Sequence, residues 1–517
     1  MKNRSFVLLV LFLGLLSSAG CSQLPSLEGR VPSHALHDGL DTRLTRATAA
    51  DVAAHPELSG VYPLGEGRSA FAARRVLIEA ADRALDVQYY IWHDDVTGAL
   101  LLDGLRRAAE RGVRVRLLLD DNGIAGLDPV LAALDALPTV EVRLYNPFLQ
   151  RGFRPLGYLT DFQRLNRRMH NKSLIADGAV AIIGGRNVGD EYFGAGEGVN
   201  FADLDLLAIG RVVADVSDVF DRYWNSESAY PLGLIVESPG GDASRLLADR
   251  LAELGGNPAT AEYIAALRES TLVRDLLEGR LPLEWAPTQV VADDPAKTLA
   301  RGSAVADTSM LPGLSAAIGK PTQKVDVVSP YFVPGEIGTA RFAELARRGV
   351  AVRVLTNSLA ATDVAAVHAG YAKRRKALLE SGVRLFELKP TSTPEASLGD
   401  WARALGGSGA SLHAKTFAVD GQHAFVGSFN FDPRSAALNT EMGFVVESPT
   451  LARAVHEAFE TIVPQIAYEV RLDAQGELEW VDHGSATGET LRSEPGVGAV
   501  KRGTVKVLSW LPIDGLL

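Results

Sequence analysis

His170-Asn171-Lys172-Ser173-Leu174-Ile175-Ala176-Asp177-Gly178, running on through residues 180–183 to Gly184-Gly185-Arg186-Asn187, returns later as His413-Ala414-Lys415-Thr416-Phe417-Ala418-Val419-Asp420-Gly421, running on through residues 424–426 to Gly427-Ser428-Phe429-Asn430. The offset is 243 residues for the His170/His413 pair and for the Asn187/Asn430 pair. Residues two apart on a strand share a face, so each copy is expected to present an imidazole beside an ammonium. The apolar run after each lysine predicts a buried strand. Asp177-Gly178 and Asp420-Gly421 then predict tight turns into a second strand. Gly184-Gly185 and Gly427-Ser428 leave room for an anionic group near the backbone. A single His-x-Lys would carry little weight, but two copies with the same downstream Gly and Asn mark a duplicated site.

Outward from the first copy, residues 71–85 repeat apolar positions at helical spacing, 87–92 form an apolar aromatic strand and 98–110 a second helix. Arg111-Gly112 stops that helix, and residues 113–119 read as a buried strand ending at Asp120-Asp121-Asn122-Gly123. This is a βαβ unit, which requires a parallel sheet and a right-handed crossover. The same order recurs as a strand over 325–332, a helix over 338–347, the stop Arg348-Gly349 and a strand over 350–356. The chain is therefore read as a signal peptide (1–20), a tether (21–60), a first α/β half (61–230), a helical connector (231–283), a second half (284–465) and a C-terminal segment (466–517).

A phosphodiester repels nucleophiles by its own charge, and its transition state spreads negative charge over the equatorial oxygens. Lys172, Lys415, Asn187 and Asn430 have the chemistry to stabilise that charge. Each histidine also needs an acid on its other ring nitrogen. Glu441, downstream of His413, meets this need; its counterpart in the first half is Asp203, with Asp205 as competitor. Asp177 and Asp420 are candidate acids too, although turn formation alone accounts for them.

These paired His-x-Lys-x4-Asp segments resemble those of the phospholipase D superfamily. Within it, residues 88–92, 111–116, 184–193 and 427–430 are similar to bacterial cardiolipin synthases. His368-Ala369-Gly370-Tyr371, Arg384-Leu385-Phe386-Glu387 and Leu511-Pro512-Ile513 resemble the cardiolipin synthase C-like branch in particular. The resemblance implies an α/β fold: a duplicated phospholipase D-type α-β-α sandwich whose halves pack about a pseudo-twofold axis with the active site between them. It also implies chemistry with no cofactor and no metal, in which one histidine becomes a phosphohistidine and the other serves as acid and base; His170 is assigned the first role and His413 the second. The implied reaction transfers a phosphatidyl group to phosphatidylglycerol, making cardiolipin, with phosphatidylglycerol or phosphatidylethanolamine as donor. Hydrolysis of phospholipid by the same machinery is the alternative.

The formal charge of -11 argues against a surface built for nucleic acid, so a nuclease reading is disfavoured. Apolar residues make up 47% of the chain and charged ones 22%, the balance of a packed globular protein. Lys2 and Arg4, the apolar run 6–16 and the small residues before Cys21 form an export signal, too short for a typical membrane span. Cys21 is the one cysteine, and Ser18-Ala19-Gly20-Cys21 resembles a bacterial lipobox. A lipid-anchored, periplasm-facing protein of the cell envelope is the implied setting, in contact with a membrane surface. Arg151, Arg154, Arg164, Arg167 and Arg168, and Lys373-Arg374-Arg375-Lys376, read either as a basic rim for anionic headgroups or as ordinary solvated charge. No partner protein can be read from the sequence.

Overall fold

The computed structural model describes residues 23–36, 41–196, 200–237, 243–255, 260, 261, 263–265, 274, 275, 278–390, 411–485 and 488–510. The signal peptide, Cys21 and Leu511-Pro512-Ile513 lie outside the described residues, as does much of the connector.

In the first half, strands Ala84–Ile91, Arg114–Gly123 and Val140–Tyr145 run parallel. The crossover helix Val96–Glu110 starts where the Asp95 carboxylate accepts the Gly98 N–H at 2.9 Å. It stops at Gly112, whose φ of 88° suits glycine. On the other side of Ala84–Ile91, the motif hairpin Ser173–Ala176 and Val180–Gly184 adds antiparallel strands, followed outward by Asp205–Gly210, Ser59–Leu64 and Glu284–Ala286. The second half repeats the plan. Lys324–Val328, Ala351–Asn357 and Arg384–Leu388 are parallel. Thr416–Val419, His423–Gly427, Met442–Glu447 and Thr288–Ala292 continue as antiparallel neighbours.

The halves are tied in three ways. One shared apolar core joins Leu118, Ile175 and Leu206 of the first sheet to Val328, Ala418 and Phe444 of the second. The chain crosses from one sheet edge to the other at Pro287, whose carbonyl accepts the Glu447 N–H at 2.9 Å. Two short parallel bridges also link the halves, Met169 to Thr440 and Ser411–Leu412 to Phe201–Ala202.

Three expected boundaries need correction. The segment read as a tether is built into the first half: helix Arg43–Ala54 follows a Thr42 cap, Ser59–Leu64 is a sheet strand, and the Arg30 guanidinium donates to the carbonyls of Asn225, Ser226 and Ala229. It lacks a strong apolar period because these contacts are polar and capping ones. Residues 284–286 belong to the first sheet, not the second half. The C-terminal segment supplies strands Ala467–Leu472, Leu478–Val481 and Thr490–Leu491 to the second sheet, and then helix Ala499–Leu508. Among the described residues no helix is long and apolar enough to cross a membrane.

Candidate active site

His170 and Lys172, like His413 and Lys415, do not lie in the strand itself but in the extended lead-in immediately before it. All four side chains are buried. Each lysine ammonium turns back on its own copy: Lys172 Nζ donates to the His170 carbonyl at 2.5 Å, and Lys415 Nζ donates to the His413 carbonyl and lies 3.0 Å from His413 Nδ1.

The cross-half bridges set the histidines. His170 N donates to Thr440 O at 2.9 Å, one residue before Glu441; His413 N donates to Ala202 O at 2.7 Å, one residue before Asp203. Each histidine thereby meets an acid from the opposite half. His170 Nδ1 is 2.8 Å from Glu441 Oε2, and His413 Nδ1 is 2.5 Å from Asp203 Oδ2. Both acids are completely buried. The reciprocal exchange is the pseudo-twofold relation in chemical form, and it brings both imidazoles and both lysines close enough that Lys172, Lys415 and His413 all act on His170.

A model of the phospholipase D-like domain of cardiolipin synthase matches residues 75–224 and again 314–463. Cardiolipin synthase C of Escherichia coli strain K12 is 49% identical over 92% of this chain and 100% of its own length. The chain belongs to the phospholipase D-like cardiolipin synthase family. As a member of that family it is an enzyme. Cardiolipin synthase A of Pseudomonas entomophila is 28% identical over 77% of this chain and 67% of its own. The crystal structure of phosphatidylserine synthase from Haemophilus influenzae Rd KW20 superposes with a TM-score of 0.54, covering 92% of this chain and 100% of that one at 14% identity, a likeness of fold.

The two family halves differ in their electrostatics. Burial pushes the Glu441 carboxyl up to about 7, against the opposing pull of Lys172 and the hydroxyls of Ser428 and Ser435. Burial acts the same way on Asp203, but the charges of His413 and Lys415 and the His413 hydrogen bond overcome it and hold that carboxyl below its usual range. Burial holds His170 well below the ordinary histidine range, with Lys172, Lys415 and His413 adding to the effect. His413 is also lowered by burial and Lys415, while Asp203 pulls it back up. Burial lowers Lys172 well below its usual value and Lys415 to about 8. A phosphodiester anion entering between them favours the charged lysines again.

Around these groups the expected residues take varied roles. Asn187 accepts from Ile91 N at 3.2 Å and donates to the Tyr192 hydroxyl at 2.9 Å, so it braces the ring packed edge-on against His413. Asn430 is buried, and its Oδ1 has no hydrogen-bond partner. Asp205, the competing acid, pairs with Arg74 and Arg186 at 2.8 and 3.1 Å. Asp177 and Asp420 stand away from the chemistry. Asp177 accepts the N–H groups of Asp82, Arg83 and Ala84, and Asp420 those of Thr322, Gln323 and Lys324. Both have φ of 53° at the motif turn, so their role is structural.

Two further readings are corrected. The small residues after the motif make room for the protein's own acids: a Cβ on Gly185 would lie 2.2 Å from Asp203 Oδ1, whereas Ser428 Oγ donates to Glu441 at 2.5 Å. Of the basic residues read as a rim or as ordinary charge, five are committed to acids of the protein. Arg168 is buried on Asp120, Arg151 and Arg154 pair with Asp121 and Asp128, Arg164 pairs with Asp161, and Arg375 pairs with Glu387 and Glu494. Apart from Asp161, three residues before Arg164, those acids lie well away in sequence, so local charge counting missed them.

Sequence reasoning also missed Asp293, Lys297 and Ser435. Asp293 accepts the Glu441 N–H and the Lys297 ammonium, each at 2.8 Å, and Ser435 Oγ donates to Glu441 Oε1 at 2.8 Å. Asp293 lies at i−4 from Lys297, a spacing too common to stand out. Tyr90 packs edge-on against His170 with ring centroids 4.9 Å apart.

Proposed function

We propose that this enzyme transfers a phosphatidyl group to phosphatidylglycerol and makes cardiolipin. The reciprocal pairing of each histidine with the other half's acid carries this reading, because two-step phosphoryl transfer needs two imidazoles with different duties at one phosphorus. His170, neutral and tethered through Nδ1 by Glu441, is assigned the nucleophile. Its Nε2 attacks phosphorus, forming the N–P bond as the P–O bond to the departing alcohol breaks. His413 is assigned the acid and base, since ionised Asp203 at its Nδ1 supports an imidazolium. It gives its Nε2 proton to the leaving oxygen, then takes one from the hydroxyl of phosphatidylglycerol as that oxygen bonds to phosphorus and the N–P bond to His170 breaks. Lys172 and Lys415 neutralise the charge on the equatorial oxygens.

The donor is assigned as phosphatidylglycerol or phosphatidylethanolamine, and the setting as the periplasmic side of the envelope with Cys21 lipidated. The charged start, short apolar run and Cys21 support this setting. Contact with a membrane surface is supported by the helical segment around residues 153–162, where Phe153, Leu156, Leu159 and Phe162 are exposed. Tyr158 of that segment reaches the cleft through Asn122 and Tyr90, which packs on His170.

The deciding experiment incubates purified enzyme with labelled phosphatidylglycerol, with and without phosphatidylethanolamine, and identifies products by mass. Cardiolipin, lost in His170→Ala and His413→Ala, is expected. Phosphatidic acid as the sole product would replace transfer with hydrolysis.

A further inference from the structure

In each half a helix precedes the first parallel strand and another follows it, and together they cover the outer face of the sheet. In the first half these are Gly67–Ala80 and Val96–Glu110, which bury long runs of their residues, including Phe71, Leu77, Leu101 and Leu105. Their counterparts, Leu311–Ile318 and Gly335–Arg347, bury one side chain each, Leu314 and Phe342. The eight-residue helix is too short to fill the space that fourteen residues fill in the other half. What remains is a cavity of about 640 Å³ between these helices and the sheet, within the size range of a small-molecule site.

Its lining is almost wholly apolar. Val325, Val327, Phe417 and Val419 of the sheet form the floor, and of the lining residues only Glu336 and Asp432 carry charge. Glu336 stands at the exposed rim, next to Ile337, which is 81% exposed. Asp432 lies at the motif end, one residue after Phe431, whose carbonyl accepts the Val333 N–H at 2.8 Å. It follows Asn430 of the second motif by two residues, its carboxylate caps the helix carrying Ser435, and its charge acts on Lys415 and Glu441. The cavity therefore reaches the back of the catalytic motif, and Phe429 and Phe431 on either side of Asn430 belong to its wall. No hydrogen-bonding group along the floor would serve a polar ligand. A wall of this kind fits an unbranched hydrocarbon.

We propose that this cavity holds one acyl chain of the phospholipid whose phosphate lies between His170 and His413, so that the second half carries the lipid's tail and both halves share its phosphate. The proposal rests on the catalytic reading given above. It makes the enzyme sensitive to chain length, with each methylene removed from the tail costing about fourfold in affinity until the cavity is no longer reached.

The test uses the full chain in mixed micelles with phosphatidylglycerol bearing a diazirine at the far end of one acyl chain. After photolysis, label is expected on peptides containing Leu314, Phe342 or Phe417. Label confined to the 153–162 segment, or to contacts between two copies of the chain, would overturn the assignment. In parallel, Leu314→Trp fills the cavity from a helix remote from the histidines. The ratio of kcat/KM for long-chain over dihexanoyl phosphatidylglycerol is expected to fall about tenfold, the equivalent of roughly two buried methylenes. An unchanged ratio would equally refute the cavity. Should the wild-type protein turn over neither lipid, the catalytic reading fails, and the photolabel still decides where the tail sits.

Discussion

Gly185→Ala adds one methyl group and tests the reciprocal pairing. Gly185 lies outside the left-handed backbone region, so alanine is conformationally allowed and the effect comes from contact alone. The new Cβ would lie 2.2 Å from Asp203 Oδ1 and 2.9 Å from its Cγ and Oδ2. The carboxylate must retreat by roughly 1 Å, a displacement of the size that costs about a hundredfold in turnover when it misplaces a catalytic group. The retreat breaks the 2.5 Å contact to His413 Nδ1, a charge-assisted bond of about 1.5–3 kcal/mol. Turnover of a labelled phosphodiester lipid is expected to fall about a hundredfold with KM little changed, because Lys172 and Lys415 stay in place. A double-mutant cycle separates this from general damage. In Asp203→Ala the methyl has nothing to displace, so Gly185→Ala should add no loss to that variant. Wild-type turnover in Gly185→Ala, or additive losses in the cycle, would refute the argument that Asp203 acts through His413.

Lys415 titrates at about 8 and is charged below that value, so kcat/KM, which reports the free enzyme, should fall as pH rises through about 8; Lys415→Arg should remove this alkaline limb from the pH profile. Asp205→Asn leaves the buried guanidiniums of Arg74 and Arg186 uncompensated and should cost about 3–5 kcal/mol of stability, read by denaturant unfolding. Asp177→Ala removes the acceptor for three backbone N–H groups and should destabilise the first half by roughly 3 kcal/mol while sparing kcat at temperatures where the protein stays folded. Ser428→Gly copies the first-half residue; it removes one hydroxyl that opposes protonation of Glu441, so the carboxyl should rise further above 7, visible as an upward shift of any acidic limb in the rate profile.

Much of this molecule was legible because duplication makes its signals redundant. The spacing from His170 to Asn187 and from His413 to Asn430 named both motif hairpins, and apolar periodicity found the parallel strands Arg114–Gly123 and Ala351–Asn357 within a few residues. Asp203 and Glu441 were also found as acids. Their partners were not, since a linear alignment sets Glu441 beside His413, whereas the bridge at Met169 and Thr440 carries it across to His170. The fate of Arg151 and Arg168 was hidden for the same reason. Their acids, Asp121 and Asp120, sit at the end of a strand some thirty to fifty residues earlier, and only the parallel sheet brings them together. Periodicity alone could not reveal the cavity behind the second sheet, because a helix that falls short of filling its space still reads as a helix.

Because each imidazole borrows its acid from the opposite half, neither half is competent by itself. A nascent molecule whose first half has folded ahead of the second holds His170 without Glu441 and Asp203 without His413. Lipid cleavage cannot begin until synthesis has passed Glu441 and the crossing at Pro287 has drawn the two sheet edges together. The arrangement thus works as an assembly checkpoint, withholding a bond-breaking activity from every partly made copy.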